Sequence, residues 1–140
     1  MPLAVEIVTA ERSVLADTAD MVVAPSVDGV VGILPRHAPM IALLKAGELR
    51  LKKGAGEIHI AVAGGIMQVE PDHVRVLADA AERVEEIDEA RAREALDRAT
   101  QRLPELHDKQ EAAAARAAIE RARARLQVVE RRRRNRSTAE

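Results

Sequence analysis

Four arginines in the C-terminal half of the chain have the spacing of an anion-binding set. Arg91 and Arg98 are seven residues apart, which puts both on one face of a helix, and Arg121 and Arg125 are four residues apart on another face. Each guanidinium offers paired N–H donors that match a phosphate group. The same residues could be ordinary exposed helix arginines, paired with Glu or Asp three or four positions away. Spacing alone leaves both interpretations open.

The residue types that covalent catalysis needs are missing or poorly placed. The sequence has no cysteine and no Ser/His/Asp spacing that indicates an activated nucleophile. It also lacks a glycine-rich phosphate loop, so we expect no hydrolysis by the chain and predict that it is not an enzyme. His37 has no His, Cys or carboxylate cluster near it at ligand spacing, so no metal site is predicted.

The charge of the chain is unevenly distributed. The net charge of -1 argues against a nucleic-acid-binding protein, because that binding depends on neutralising phosphates. Residues 1–86 carry 8 Lys and Arg against 13 Asp and Glu, whereas residues 87–140 carry 14 against 10. The two parts therefore suit different partners. No apolar run approaches the ~18 residues of a membrane helix, so we expect no direct membrane insertion.

The elements that position these residues change near Glu82. Before it, short apolar runs recur every 8–12 residues between turn residues, typical of an antiparallel sandwich or barrel. Lys53–Gly56 is predicted to be a hairpin turn. Without Phe, Tyr or Trp, the core must be aliphatic. The predicted strands are Leu3–Thr9, Ser13–Leu15, Met21–Ala24, Val30–Leu34, Glu48–Lys52, Glu57–Val62, Ile66–Glu70 and Val74–Leu77.

After Glu82 the apolar period lengthens to about 3.6, and Ala, Arg and Glu dominate. Helices are predicted over about 88–103 and 108–134, with Asp88 and Asp108 as N-caps. Half of the residues in their apolar stripes are alanine, so we expect a weakly held hairpin. The predicted fold is an all-β N-terminal sandwich, residues 1–84, followed by an α-helical hairpin, residues 85–140. This is α+β overall, with two segregated domains. The predicted stripes are Ala92, Ala95, Leu96, Ala99 and Leu103 on the first helix, and Ala115, Ile119, Ala122, Leu126 and Val129 on the second.

Three motifs in order carry a resemblance to a known family. Gly29–Pro39, which holds two prolines around Arg36 and His37, resembles the first loop signature of ATP synthase epsilon subunits of bacteria and plastids. Ala61–Val69 resembles the second. Ala78–Arg83 followed by Ile87–Ala92 resembles the third. The likeness extends from about Leu3 to Val129.

This resemblance implies a ten-stranded sandwich that packs on the gamma subunit and touches the ring of c subunits, followed by two helices. It implies a non-catalytic subunit of the central-stalk rotor, peripheral on the cytoplasmic face of the inner or plasma membrane. His37 is then the candidate c-ring contact, although the proline loop could also be a rigid connection without a partner. An acidic residue that the family often has seven positions before this histidine is Val30 here, which puts an ionic contact there in doubt.

The resemblance also implies two sets of functional residues in the helical part. The second helix, when extended, would approach acidic segments of the alpha and beta subunits and block ATP hydrolysis. No cofactor is required, but ATP is a possible regulatory ligand, with the adenine resting on aliphatic groups. The implied ATP-binding residues are Glu82, Ile87, Asp88, Arg91, Ala92, Arg98, Arg121 and Arg125. The candidate inhibitory contacts are Arg121, Arg123, Arg125, Arg131 and Arg132.

The alternative function is a stand-alone module that senses nucleotides or binds nucleic acid with its basic helices. The net charge and the absence of aromatic side chains for base stacking argue against it. We therefore expect no nucleic-acid partner.

Overall fold

The described part of the chain forms eight strands and two long helices. The computed structural model describes the backbone of residues 2–139 and the side chains of residues 2–134. The strands are β1 (Leu3–Val8), β2 (Ser13–Ala19), β3 (Met21–Ser26), β4 (Gly29–Ile33), β5 (Met40–Lys53), β6 (Gly56–Val69), β7 (His73–Ala78) and β8 (Ala81–Arg83). The helices are α1 (Glu89–Arg102) and α2 (Lys109–Ala139), each preceded by a 3-10 turn, Val84–Glu86 and Leu103–Glu105.

The strands form one hydrogen-bonded sheet that folds over into a sandwich. Its order is β2-β1-β7-β6-β5-β3-β4, with β8 paired to β6, and every pair is antiparallel except β1 with β7. The two longest strands, β5 and β6, have 14 residues each and pair along almost their whole length. The predicted turn at Lys53–Gly56 is the hairpin that joins them, with Lys53 opposite Gly56.

Both long strands exchange their inward and outward faces near the middle. Side chains alternate along a strand, so residues an odd number of positions apart should face opposite sides. In β6, however, Ile60 and Val62 face the core, and Met67 and Val69, which are an odd number of positions further on, face it too. The exchange occurs at Gly64 and Gly65, whose φ angles are +84° and +130°. One bent strand therefore serves both layers of the sandwich.

This bend corrects the expected strand count. The sequence predicted Glu57–Val62 and Ile66–Glu70 as two strands, and the resemblance implied ten in all. The described residues form eight, because the glycine bend changes the alternation without ending the β6 ladder. In β5 the segment Met40–Gly47 was not predicted to be a strand, and it is continuous with the predicted Glu48–Lys52.

The core of the sandwich is entirely aliphatic, as the composition requires. Its members come from all strands between β1 and β8 and belong to one connected cluster. The largest fully buried side chains are Leu3, Ile7, Ile33, Leu49, Leu51, Ile60 and Met67, with Val14, Val22, Val62, Val69 and Val74. This cluster contains no residue from α1 or α2, so the sandwich has a core of its own.

The two helices form the predicted hairpin, and the seam between them is thin. Asp88 caps α1 by accepting a hydrogen bond from the Arg91 N–H, and Asp108 accepts from the Gln110 N–H at the start of α2. Only Ala92 of α1 is fully buried. Burial of a methyl group contributes little compared with the ~1.5–3 kcal/mol of a buried Val or Leu.

A second face of α2 packs on the sandwich. Val128 is completely buried against Ala61 of β6 and Val84, with Ile87 and Val129 packed around them. The predicted stripe placed Val129 in the seam and did not include Val128. The helix therefore uses one side for α1 and another for the outer surface of β5 and β6.

Candidate functional site

An open cleft lies where β8, α1 and α2 meet. Its volume is about 350 Å³, and carboxylates and guanidiniums line most of it. The lining residues are Glu82, Glu86, Asp88, Arg91, Ala92, Ala95, Arg98 and Arg125. Six of the eight residues assigned to ATP by resemblance thus surround one space. The other two lining residues, Glu86 and Ala95, were not among the predicted site residues.

Helical geometry accounts for the wall formed by α1. Arg91, Ala92, Ala95 and Arg98 recur at spacings of three and four residues, so they share a face. Asp88 is held at the end of this wall because its Oδ1 atom accepts from the Arg91 N–H at 3.1 Å. The helix start is therefore fixed by a residue that also borders the cleft.

The opposite wall depends on contact between two distant parts of the chain. Arg125 of α2 forms a two-pronged ion pair with Glu82 of β8, in which Nε donates to Oε1 at 2.6 Å. Both side chains are about 30% exposed, so water and ligands reach them. An entering phosphate would compete with the Glu82 carboxylate for the Arg125 guanidinium.

Two predicted ATP residues lie outside this cleft. Ile87 packs on the other side of the chain, with Val84 and Val128. Arg121 borders a narrow crevice behind Glu82 and Arg125. In this conformation Arg121 is one helical turn away from the cleft-lining Arg125.

The loop that carries His37 is a tight turn pinned to a neighbouring segment. The His37 N–H donates to the Leu34 carbonyl at 3.2 Å, and the Arg36 N–H donates to the Pro71 carbonyl at 2.7 Å. Arg36 has a φ of +71°, a conformation that is uncommon for residues other than glycine. The His37 side chain is half-buried and approaches the Ala38 carbonyl oxygen through Nδ1. The loop is therefore stiff and presents a defined surface.

An apolar stripe crosses the outer surface of the sandwich, and the sequence analysis did not find it. We define it as Leu43, Ile66 and Leu77, which are cross-strand neighbours on β5, β6 and β7, together with Ile41. These side chains are between 39% and 69% exposed. The sequence gives no alternation that marks the stripe, because residues 40–44 are all apolar and only the structure shows that Ala42 and Leu44 face the core.

Among the side chains that the structure describes, no group of three His, Asp or Glu residues could hold a metal ion. Within residues 2–139, no helix is long and apolar enough to cross a bilayer.

Comparison with known proteins identifies the family. The family model described as the beta-sandwich domain of the ATP synthase delta/epsilon chain matches residues 2–84, and the model of its long alpha-helix domain matches residues 85–130. The chain belongs to the ATP synthase delta/epsilon family. The function predicted from the sequence, that of an epsilon subunit, is confirmed. The alternative of a stand-alone nucleotide or nucleic-acid module is not favoured.

Relatives of similar length support this family assignment. The ATP synthase epsilon chain of Herpetosiphon aurantiacus is 49% identical over 133 residues, which cover 95% of this chain and 98% of the relative. That of Dehalococcoides mccartyi is 48% identical over 134 residues, covering 95% and 96%. As an epsilon chain, the protein is a subunit of the ATP synthase complex.

Solved structures share the fold. A chain in the Euglena gracilis mitochondrial ATP synthase, in an assembly of OSCP, F1 and c-ring, superposes with a TM-score of 0.74 at 20% identity, covering 85% of this chain and 76% of that one. A chain from the central stalk and c-ring of the Tetrahymena thermophila mitochondrial enzyme has a TM-score of 0.58 at 12% identity, with coverages of 92% and 97%. The predicted fold class, a sandwich followed by a helical hairpin, is confirmed.

The arginines assigned to inhibition are in different states in this epsilon chain. Arg125 pairs with Glu82, and Arg131 pairs with Glu48 of β5 at 2.7 Å. Arg123 is exposed. Arg121 and Arg132 are half-buried, and Arg132 borders a cleft beside Glu89 and Val129. Two of the five guanidiniums are thus neutralised by the sandwich while α2 is docked on it.

Proposed function

We propose that this epsilon chain is a non-catalytic regulator in the central stalk whose helical hairpin responds to ATP. The cleft between β8, α1 and α2 carries this proposal, because it brings three guanidiniums, from Arg91, Arg98 and Arg125, to one open space. Guanidiniums with paired donors suit a triphosphate. The alanine-lined part of the same wall offers an aliphatic surface for a base.

ATP would stabilise the docked hairpin because its site needs both helices. Arg91 and Arg98 belong to α1 and Arg125 to α2, so opening the hairpin would separate the phosphate ligands. A ligand that binds only one conformation shifts the equilibrium toward it by RT ln(1 + [L]/Kd), about 2.7 kcal/mol at a hundredfold excess over Kd. Because the seam between the helices buries little apolar surface, we expect the free energy of ATP binding to decide whether the hairpin is docked or open.

When ATP is scarce, the hairpin would open and extend α2 toward the catalytic alpha and beta subunits. Opening would free Arg125 and Arg131 from Glu82 and Glu48. Together with Arg121, Arg123 and Arg132, they would then present a basic face to acidic segments of those subunits. Such a contact would block ATP hydrolysis, with ATP acting as a regulatory ligand and not as a cofactor.

The sandwich would provide the fixed contacts of the rotor. The apolar stripe is the kind of exposed surface that marks a protein interface, and we assign it to the gamma subunit. The stiff loop at His37, which immediately precedes β5, is our candidate for the c-ring contact. The chain would then be held peripherally at the cytoplasmic face of the membrane by its partners.

Calorimetric titration of the full chain with ATP tests the nucleotide site. We expect saturable binding, and a loss of affinity of about tenfold or more in Arg91→Ala and in Arg125→Ala, since each loses a charge-assisted contact. Arg93→Ala and Arg116→Ala are matched controls, because these arginines lie on the same helices but do not line the cleft. Unaltered affinity in both cleft variants would refute the assignment.

A further inference from the structure

Glu48 is an acidic residue buried on the outer surface of the sandwich. Its neighbours in β5, Leu49 and Leu51, face the aliphatic core, so strand alternation puts Glu48 on the opposite face. His59 of β6 shares this outer face, since its neighbour Ile60 also points into the core. Yet the side chains of Glu48 and His59 are only 4% and 6% exposed.

Helix α2 is what covers this face. It packs on both β5 and β6, and Arg131 reaches the Glu48 carboxylate, with 2.7 Å between Nε and Oε1. One turn earlier, Val128 is buried against Ala61, the cross-strand partner of Glu48. Glu48 would therefore meet water again if α2 left the sandwich.

The polar contacts around Glu48 are incomplete. Arg50 approaches the carboxylate at 3.2 Å, and His59 Nδ1 lies 3.5 Å from Oε2. Among the described side chains, neither Glu48 Oε2 nor His59 Nδ1 has a hydrogen-bond partner. The Arg131 Nε atom is close enough to Glu48 for an ion pair, but its N–H is misaligned for a hydrogen bond.

We propose that Glu48 makes the docked position of α2 conditional on Arg131. Burying a carboxylate costs free energy unless the carboxylate is paired with a cation. Docking α2 without the Arg131 charge would remove Glu48 from water without supplying a cation from the helix in return. Undocking removes that cost, because the outer face becomes solvated. Glu48 therefore disfavours docked α2 whenever the Arg131 guanidinium is absent. The pair does not act simply as a salt bridge that stabilises the docked state.

The pKa of Glu48 fits this role. Burial raises the pKa of the Glu48 carboxyl above its ordinary value, and this effect exceeds the lowering by Arg131, His59 and Arg50. The charged carboxylate is therefore held at a net cost. A buried pair of this kind is a weak source of stability, but removing one member leaves a stranded charge.

The proposal predicts a specific pattern in a double-mutant cycle. Arg131→Gln alone should lower the ratio of docked to undocked α2 about tenfold or more, since it removes the charge that α2 brings to Glu48 and leaves, among the described arginines, only Arg50 beside the buried carboxylate. Glu48→Gln alone should leave α2 docked. The double variant should be docked again, because the charge that required Arg131 is gone. A plain stabilising salt bridge would give opening in both single variants and no recovery in the double variant.

The docked ratio can be measured in the intact chain by spin-label distances. The sequence lacks cysteine, so cysteines placed at the exposed positions Ala16 and Gln127 would be the only labelling sites. The expected result is the same narrow distance distribution in the parent, Glu48→Gln and the double variant, and a shifted, broader distribution in Arg131→Gln. Arg123→Gln, a change at an exposed arginine of the same helix, is the matched control and should remain docked.

Two distance results would overturn the proposal. One is an unchanged label distance in Arg131→Gln, and the other is a double variant as open as Arg131→Gln itself. Thermal melting of each variant shows whether the sandwich remains folded. If Arg131→Gln loses the sandwich transition as well, Arg131 supports the whole fold and the proposal is wrong.

Discussion

At the scale of single residues, Gly65 shows why the second family motif contains a glycine pair. Its φ of +130° is one that residues with a side chain rarely adopt. A Cβ atom added at Gly65 would lie 2.8 Å from the Cα atom of Ala78 on the neighbouring strand. The bend that lets β6 serve both layers therefore depends on the missing side chain.

Substitution of Gly65 should destabilise the sandwich. We expect Gly65→Ala to reduce the free energy of unfolding by about 1–3 kcal/mol, because it adds backbone strain and a steric clash. Gly54→Ala is the control, since Gly54 also has positive φ, at +59°, but has open space around it. Chemical denaturation of both variants measures the difference. An equal loss of unfolding free energy in the two variants would show that positive φ accounts for the effect. The close approach of Gly65 to Ala78 would then contribute nothing.

The sequence identified most of the cleft residues, but only through a resemblance. Spacing alone showed that Arg91 and Arg98 share one helix face, and it left their role open. It could not show that Glu82 meets Arg125, because 43 positions separate them and the contact needs α2 to fold back. The resemblance also assigned Ile87 to the ATP site. Its place in the motif gave no sign that its side chain packs with Val84 and Val128, outside the cleft.

At the scale of elements, the titration of Glu48 should make α2 docking pH-dependent. Its pKa is raised in the docked state, so docking takes up a proton. The charged groups that face it are Arg131 from α2, Arg50 from β5, and His59 and Glu57 from β6. The contribution of Glu48 should therefore favour docking increasingly as pH falls from 7 toward the ordinary carboxyl value of 4.5.

The difference between the parent and Glu48→Gln isolates this contribution. Spin-label distances recorded from pH 7 to 4.5 should show the ratio of docked fractions, parent over Glu48→Gln, increasing as the pH falls. The comparison cancels the titration of ion pairs that do not contact Glu48, such as Glu82 with Arg125. A ratio that stays constant, or that decreases with acid, would contradict the assigned sign.

The sandwich should fold without the helices. Its aliphatic cluster contains no residue from α1 or α2, and β8 ends at Arg83. A chain that ends at Asp88 should unfold cooperatively and retain binding to the gamma subunit, with stability reduced by the exposure of Ala61 and Val84. Denaturation monitored by circular dichroism and a gamma pull-down would measure this. An unfolded fragment would show that the hairpin is part of the folding unit.

Strand prediction failed where apolar residues occupy both faces. In Met40–Leu44, Ala42 and Leu44 face the core while Ile41 and Leu43 lie in the apolar stripe, so the period-2 contrast disappears. The helical stripes were predicted better, because α1 has one apolar face. Val128 was not predicted to be buried because α2 has two apolar faces. The sequence pattern was interpreted as one face packed on α1, and Val128 lies on the other face, against the sandwich.

At the scale of the whole molecule, His37 should affect coupling more than stability. Its side chain is half-buried in a loop held by backbone hydrogen bonds, which a change to alanine leaves in place. We expect His37→Ala to shift the melting temperature of the chain by only a few degrees at most. The assembled synthase should couple proton flow to ATP synthesis less well. A large loss of stability with coupling intact would make His37 a structural residue.

The charge asymmetry gives the molecule two alternative sets of contacts. While α2 is docked, acidic residues of β5 and β8 neutralise Arg131 and Arg125. When it is extended, acidic segments of the catalytic subunits would replace them. Under the proposed function, docking and inhibition would compete for the same guanidiniums, and ATP would favour docking by occupying the cleft.

Titration of the chain with ATP, followed by the label distance between positions 16 and 127, tests this account most directly. We predict that the docked fraction rises with ATP as the ratio of docked to open chain increases by the factor 1 + [ATP]/Kd. The Arg125→Ala chain should need about tenfold or more ATP for the same rise, in line with its expected loss of affinity. An unchanged distance distribution up to millimolar ATP in the parent, from a starting population that contains open chains, would contradict the account.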